Sequence, residues 1–151
     1  MHKILIALVI VAVASVPAVA PAASGVMSAV SQFVDGFNKG DMKMLASACA
    51  DEVSIIDEFP PYQWHGHGAC AKWSSDYEAD AKKNGITDGH ITLITPSHID
   101  VVEDRAYVVA SADYAYKEKG KALKEVGSIL TVALQKDMDG WRIVAWAWSK
   151  H

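Results

Sequence analysis

Residues 105–117 read RAYVVASADYAYK, residues 122–136 ALKEVGSILTVALQK and residues 140–149 GWRIVAWAWS. Each run is rich in β-branched, aromatic and small residues, and only Lys119-Gly120 and Asp137 to Gly140 separate them. That is the language of strands joined by tight turns. A further run over about 90–102, ended by Glu103-Asp104, extends the series upstream. Connections this short predict an antiparallel meander, with strands long enough to curl.

What precedes these runs is helical. Val26, Val30, Phe33, Val34 and Phe37 fall at helical spacing, with Ser24 as a possible N-cap and Gly40 as a stop. Asp41 can cap a second short helix through about Ala48, with Met44, Leu45 and Ala48 as its buried stripe. Residues 53–56 read as a strand that Pro60-Pro61 stops. Residues 68–83 carry Ala69, Trp73, Tyr77 and Ala81 on one face and end at Asn84-Gly85, which predicts a third helix. The fold class is therefore α+β: three N-terminal helices packed in a strongly curved antiparallel sheet, a cone-like α+β barrel.

The 151 residues leave room for one domain, at roughly 100–200 residues per domain. Fourteen Lys+Arg against eighteen Asp+Glu give a net charge of −4 with no basic run, which excludes nucleic acid as a partner. Residues 1–23 read as a signal peptide: Met1-His2-Lys3 is a positive start, and Ile4 to Val16 is an apolar run. That run is about thirteen residues, short of the roughly 20 that span a bilayer core. Small residues follow, and cleavage is expected after Ala22 or Ala23. The domain is then expected over 24–151, with the mature protein periplasmic or secreted and without membrane attachment; an uncleaved N-terminal anchor is the competing reading. Export places Cys49 and Cys70 where they can oxidise, and a bridge closing about twenty residues is worth roughly 3 kcal/mol. Two buried thiols on two helices remain the alternative.

Four short motifs follow one another along residues 24–151. They are Phe37-Asn38-Lys39-Gly40-Asp41, Ala50-Asp51-Glu52-Val53, Trp64-His65-Gly66 and Asp139-Gly140-Trp141-Arg142-Ile143-Val144. With this order of elements the chain resembles the nuclear transport factor 2-like superfamily, which includes ketosteroid isomerase, scytalone dehydratase and SnoaL-like polyketide cyclases. The resemblance implies a sheet wrapped around three helices, a pocket at the open end of the cone, and a homodimer through the sheet. It also puts Asp57 on the isomerase's general base. The isomerase's tyrosine donor falls on Phe33, and its late-strand carboxyl falls near Ile129 to Thr131, where this chain has none. Steroid isomerisation by that route is therefore disfavoured.

Asp57 follows a strand and precedes Glu58-Phe59-Pro60-Pro61, so it can act as a general acid or base, or else start a turn. His65 is its candidate partner in proton transfer. His65 and His67 flank Gly66 as a metal pair would, but no third ligand can be named, even with His90 and His98 in view, and no metal is expected. Asp113 is assigned to the solvated face of its strand. Phe33, Phe37, Phe59, Tyr62, Trp64 and Trp73 are the candidate substrate-binding residues, whereas Trp146 and Trp148 are assigned to core or dimer interface. The resemblance, with Asp57 and the aromatic residues, implies a cofactor-free isomerase, dehydratase or cyclase acting on a small apolar, carbonyl-bearing molecule. The alternative is a non-catalytic domain that holds a hydrophobic ligand or dimerises.

Overall fold

A computed structural model describes residues 19–151. The expected signal peptide falls mostly on residues 1–18, outside the described residues; residues 19–23 belong to the first helix. In chain order the elements are α1 (Val19–Lys39), α2 (Met42–Ser47), β1 (Cys49–Ile56), β2 (Gln63–His67), α3 (Ala69–Asn84), β3 (Ile86–Leu93), β4 (His98–Val102), β5 (Arg105–Glu118), β6 (Lys121–Asp137) and β7 (Gly140–Ser149). The seven strands form one sheet in the order β2-β1-β7-β6-β5-β3, and β4 shares an edge of β5 with β3. The α+β class is as the sequence implies. Among the described residues no helix is long and apolar enough to cross a membrane.

Three details differ from the sequence reading. Only α1 and α2 are N-terminal, because the β1–β2 hairpin intervenes before α3. The sheet is mixed: β1 pairs with β7 in parallel, which the long chain path between them permits, since parallel neighbours cannot be joined by a tight turn. The run expected over 90–102 starts at Ile86 and is two strands, interrupted at 94–97 where Pro96 has no N–H to give a ladder.

Local chemistry fixes the helices against the sheet. Asp41 caps α2 by accepting a bond from Met44 N at 2.9 Å. Gly36 lets α2 cross α1 closely, for a Cβ there would lie 2.5 Å from Leu45 N. Asn38 docks the end of α1 on the edge strand, donating from Nδ2 to Ile91 O at 2.8 Å and accepting from Ile91 N at 2.7 Å. Val26, Val30, Phe33 and Val34 of α1 pack into the same core as Val108, Leu130, Val132, Leu134 and Ile143 of the sheet. Each such side chain contributes about 1.5–3 kcal/mol by leaving water. Cys49 and Cys70 are joined in a disulfide across a Cα separation of 6.5 Å, tying the start of β1 to the first turn of α3.

Pairing registers shift in three places that matter for the pocket. On β6, Ser128 faces Ala112 and Glu125 faces Tyr114, so β6 carries one extra residue. On β7, Ile143 faces Leu134 and Trp146 faces Val132, again one extra. On β3 the shift lies between Thr87 and His90. Each bulge bends its strand and exchanges the faces of everything beyond it.

Candidate functional site

Between α1, α3 and the concave face of the sheet lies a cavity of about 270 Å³. Its wall is largely aromatic. Trp73 stands edge-on to Trp146, with ring centres 4.9 Å apart, and stacks on Tyr77 at 5.8 Å. Phe33 touches both tryptophans, while Phe37 packs on Tyr77 at 5.0 Å. Leu130 and Ile91 add aliphatic surface. Such a lining suits a small, mostly apolar molecule fixed by a few polar groups.

Besides Asp80, which accepts from Asn84 Nδ2 at 2.9 Å, the polar groups come from three places. Asp57 follows β1, whose Val53 and Ile55 point inward, and alternation turns Asp57 inward as well. One carboxylate oxygen accepts from Glu58 N at 2.7 Å and the other from Trp73 Nε1 at 2.8 Å. Burial pushes its pKa up to about 6; the two hydrogen bonds pull the other way, and the charge of Glu125 adds to the rise. The second polar group is a hydroxyl pair. Tyr77 of α3 and Tyr114 of β5 share a hydrogen bond between their OH groups, and burial raises the pKa of both.

The third group stands where the cavity meets solvent. Lys150 Nζ bonds Glu125 Oε1 and lies 3.5 Å from Glu58 Oε2, so one ammonium holds both carboxyl groups. Tyr116 OH donates to Glu125 Oε1 at 3.4 Å. Burial, then the charge of Glu125, raises the pKa of Glu58, against the pull of the Lys150 ammonium. Glu125 faces the cavity only because of the β6 bulge. Counting back from Leu130 and Ser128 by strict alternation would turn Val126 and Lys124 inward, yet Val126 is 64% exposed. Gly127, at φ +76°, supplies the backbone conformation that the bulge needs.

Of the residues singled out in the sequence, Phe33, Phe37, Asp57, Phe59 and Trp73 line the cavity together. Trp64 is buried behind them, its Nε1 donating to Asp76 Oδ2 at 2.7 Å and its ring 4.9 Å from Phe59. His65 does not join Asp57. It pairs with Ser54 on β1, both side chains point to the outer face, and its Nδ1 bonds Ser54 Oγ at 2.7 Å. Tyr62 is exposed in the turn before β2. His67 is held by Asp51 at 2.7 Å, and among the described residues no three of His, Cys, Asp or Glu are grouped to hold a metal ion. Asp113 lies on the outer face, where it pairs with Lys124 and accepts from Gly127 N.

Trp146 and Trp148 both line the cavity rather than an outer interface, because the β7 bulge turns them to the same side as Trp141 and Ile143. Tyr114, Glu125 and Lys150 were not anticipated as site residues. For Glu125 the available signal was Gly127 inside an otherwise regular strand.

The same architecture occurs in solved structures at low sequence identity. A nuclear transport factor 2-like superfamily protein from Salmonella enterica serovar Typhimurium superposes with a TM-score of 0.71 at 15% identity, over 88% of this chain and 93% of that one. An NTF2-like protein with a cystatin-like fold from Novosphingobium aromaticivorans gives 0.70 at 13%, over 87% and 83%. A ketosteroid isomerase-like protein from Erwinia carotovora atroseptica gives 0.62 at 14%, over 85% and 95%. No curated protein matches the chain by sequence. The sequence pattern of the SnoaL-like domain, however, matches residues 26–150, which span α1 from its first core residue to Lys150 at the cavity mouth. By that match the chain belongs to the SnoaL-like domain family, and its fold is the one these NTF2-like structures share.

Proposed function

We propose that this protein is an exported, cofactor-free enzyme that moves a proton at the carbon beside the carbonyl of a small apolar molecule, with Asp57 as the general base. The observation that carries this reading is the Asp57 carboxyl at the wall of an aromatic cavity, with burial raising its pKa to about 6. A base titrating there is ionised at neutral pH and strong enough to take a proton from carbon. The Trp73 and Glu58 hydrogen bonds fix its orientation, and each oxygen keeps a free lone pair. Proton removal leaves negative charge on the substrate oxygen, which needs a donor. The Tyr77–Tyr114 pair supplies hydroxyl groups from walls other than α1, whose Phe33 cannot donate. The protonated Asp57 can then return the proton to carbon. Export is supported by the joined cysteines, since disulfides persist in oxidising compartments.

The test is exchange of the α-protons of 2-tetralone in D₂O, followed by NMR. The protein should accelerate exchange, with the rate rising through about pH 6. Asp57→Asn should slow it by about 10²–10⁴. Tight binding of the ketone with exchange at the buffer rate would make the protein a ligand carrier instead.

A further inference from the structure

A base that takes and returns one proton needs no second acid, yet the cavity mouth holds two more carboxyl groups. The Glu125 side chain is 10% exposed, and Lys150 and Tyr116 both serve its Oε1. Its Oε2 is buried without a partner. Glu58, 32% exposed, reaches the same ammonium from the other side. Lys150 brings the two carboxyl groups together, and burial with the charge of Glu125 favours a proton on Glu58. With that one proton the pair carries a single negative charge, which Lys150 balances.

We propose that Glu58 and Glu125 share this proton as a general acid working with Asp57, and that the substrate is a β-hydroxy carbonyl compound which the enzyme dehydrates. The proposal rests on the proton-transfer reading of Asp57 and adds the fate of a leaving group. Asp57 takes the α-proton, and the electrons of that C–H bond form the carbon–carbon double bond. The Cβ–O bond breaks, and its electron pair leaves on oxygen. The oxygen takes the shared proton from Glu58 and Glu125 and departs as water. The products are an enone and water, with no change in overall oxidation state. Exchange with solvent at the open mouth, where Glu58 is partly exposed, returns a proton to the carboxyl pair and removes one from Asp57. The charged and titratable neighbours of the pair are Asp57, Tyr114, Tyr116 and Lys150.

The experiment compares two substrates that give the same product, 4-phenylbut-3-en-2-one, followed by its ultraviolet absorbance. In 4-hydroxy-4-phenylbutan-2-one the leaving oxygen needs a proton, whereas in the 4-acetoxy analogue acetate leaves without one. Glu125→Gln and Glu58→Gln should each slow the hydroxy ketone by about 10²–10⁴ and the acetoxy ketone by less than about tenfold. For the wild type, kcat/KM should be bell-shaped in pH with the hydroxy ketone and rise to a plateau with the acetoxy ketone. Equal losses on both substrates in both variants would overturn the proposal, as would a hydroxy ketone rate that neither variant changes. A wild-type protein that exchanges 2-tetralone but does not dehydrate the hydroxy ketone overturns this inference and leaves the role of Asp57 standing. If neither reaction occurs, both readings fall.

Discussion

Asp57 links the chemistry of the cavity to the stability of the fold. Its pKa is 3.8 as an ordinary aspartate and about 6 when folded, so the folded state binds the proton more tightly. The stability this residue contributes is full below about pH 3.8 and is lost as pH rises through about 6. At about 1.4 kcal/mol per pH unit, the loss is at most about 3 kcal/mol. Asp57→Asn removes the titration. Between pH 4 and pH 8 its stability relative to wild type should therefore shift in its favour by about 1–3 kcal/mol, measured by urea denaturation at both pH values. Parallel pH dependences would place Asp57 in water rather than at the cavity wall. The base at neutral pH is thus a destabilised group, held in place by Trp73 and the Glu58 amide.

At the scale of elements, the β6 bulge decides which residues reach the mouth of the cavity. Gly127→Val puts a β-branched residue at φ +76°, a conformation costing an L-residue roughly 1–2 kcal/mol. The variant should lose about that much stability in denaturant melts and, if Glu125 is displaced, dehydration activity as well. The bulges also explain what the sequence disclosed and what it hid. Gly40, Asp41 and Asn84-Gly85 mark helix ends in their own chemistry, so α2 and α3 fall within a residue or so of where the pattern places them. β5, β6 and β7 match because turn residues bound them on both sides. Phe33, Phe37 and Trp73 were legible as inward faces of helices, whose period has no inserted residue. On the strands, by contrast, one added residue exchanges the two faces. Trp146 and Trp148 therefore read as one facing pair while their side, and the side of Glu125, went unread. His65 was misplaced for a different reason. Only its pairing with Ser54 reveals that it points outward, and β2 carries too short an apolar pattern to show that pairing.

Across the whole molecule, the disulfide ties the start of β1 to the first turn of α3, the elements that lead into Asp57 and carry Trp73. Protein recovered from outside the cytoplasm should begin near residue 23 and carry the bridge. Cys70→Ser should cost it about 3 kcal/mol in guanidinium denaturation, an effect that reductant reproduces in the wild type. With Trp146 and Trp148 inside the cone, a homodimer through the sheet would rest on other side chains of its outer face. The Gly127 bulge has a consequence for how such a protein can change over generations. Between Ser128 and Glu125, β6 has two residues where β5 has only Asp113, so an in-frame deletion of Val126 or Gly127 would leave a regular ladder with Glu125 still opposite Tyr114. Lys150 would keep both of its acids, and the aromatic wall around Asp57 would stay where it is. The strand can thus gain or lose one codon on its way to the cavity mouth without turning its acid to solvent, a tolerance that preserves the site while the sheet around it changes length.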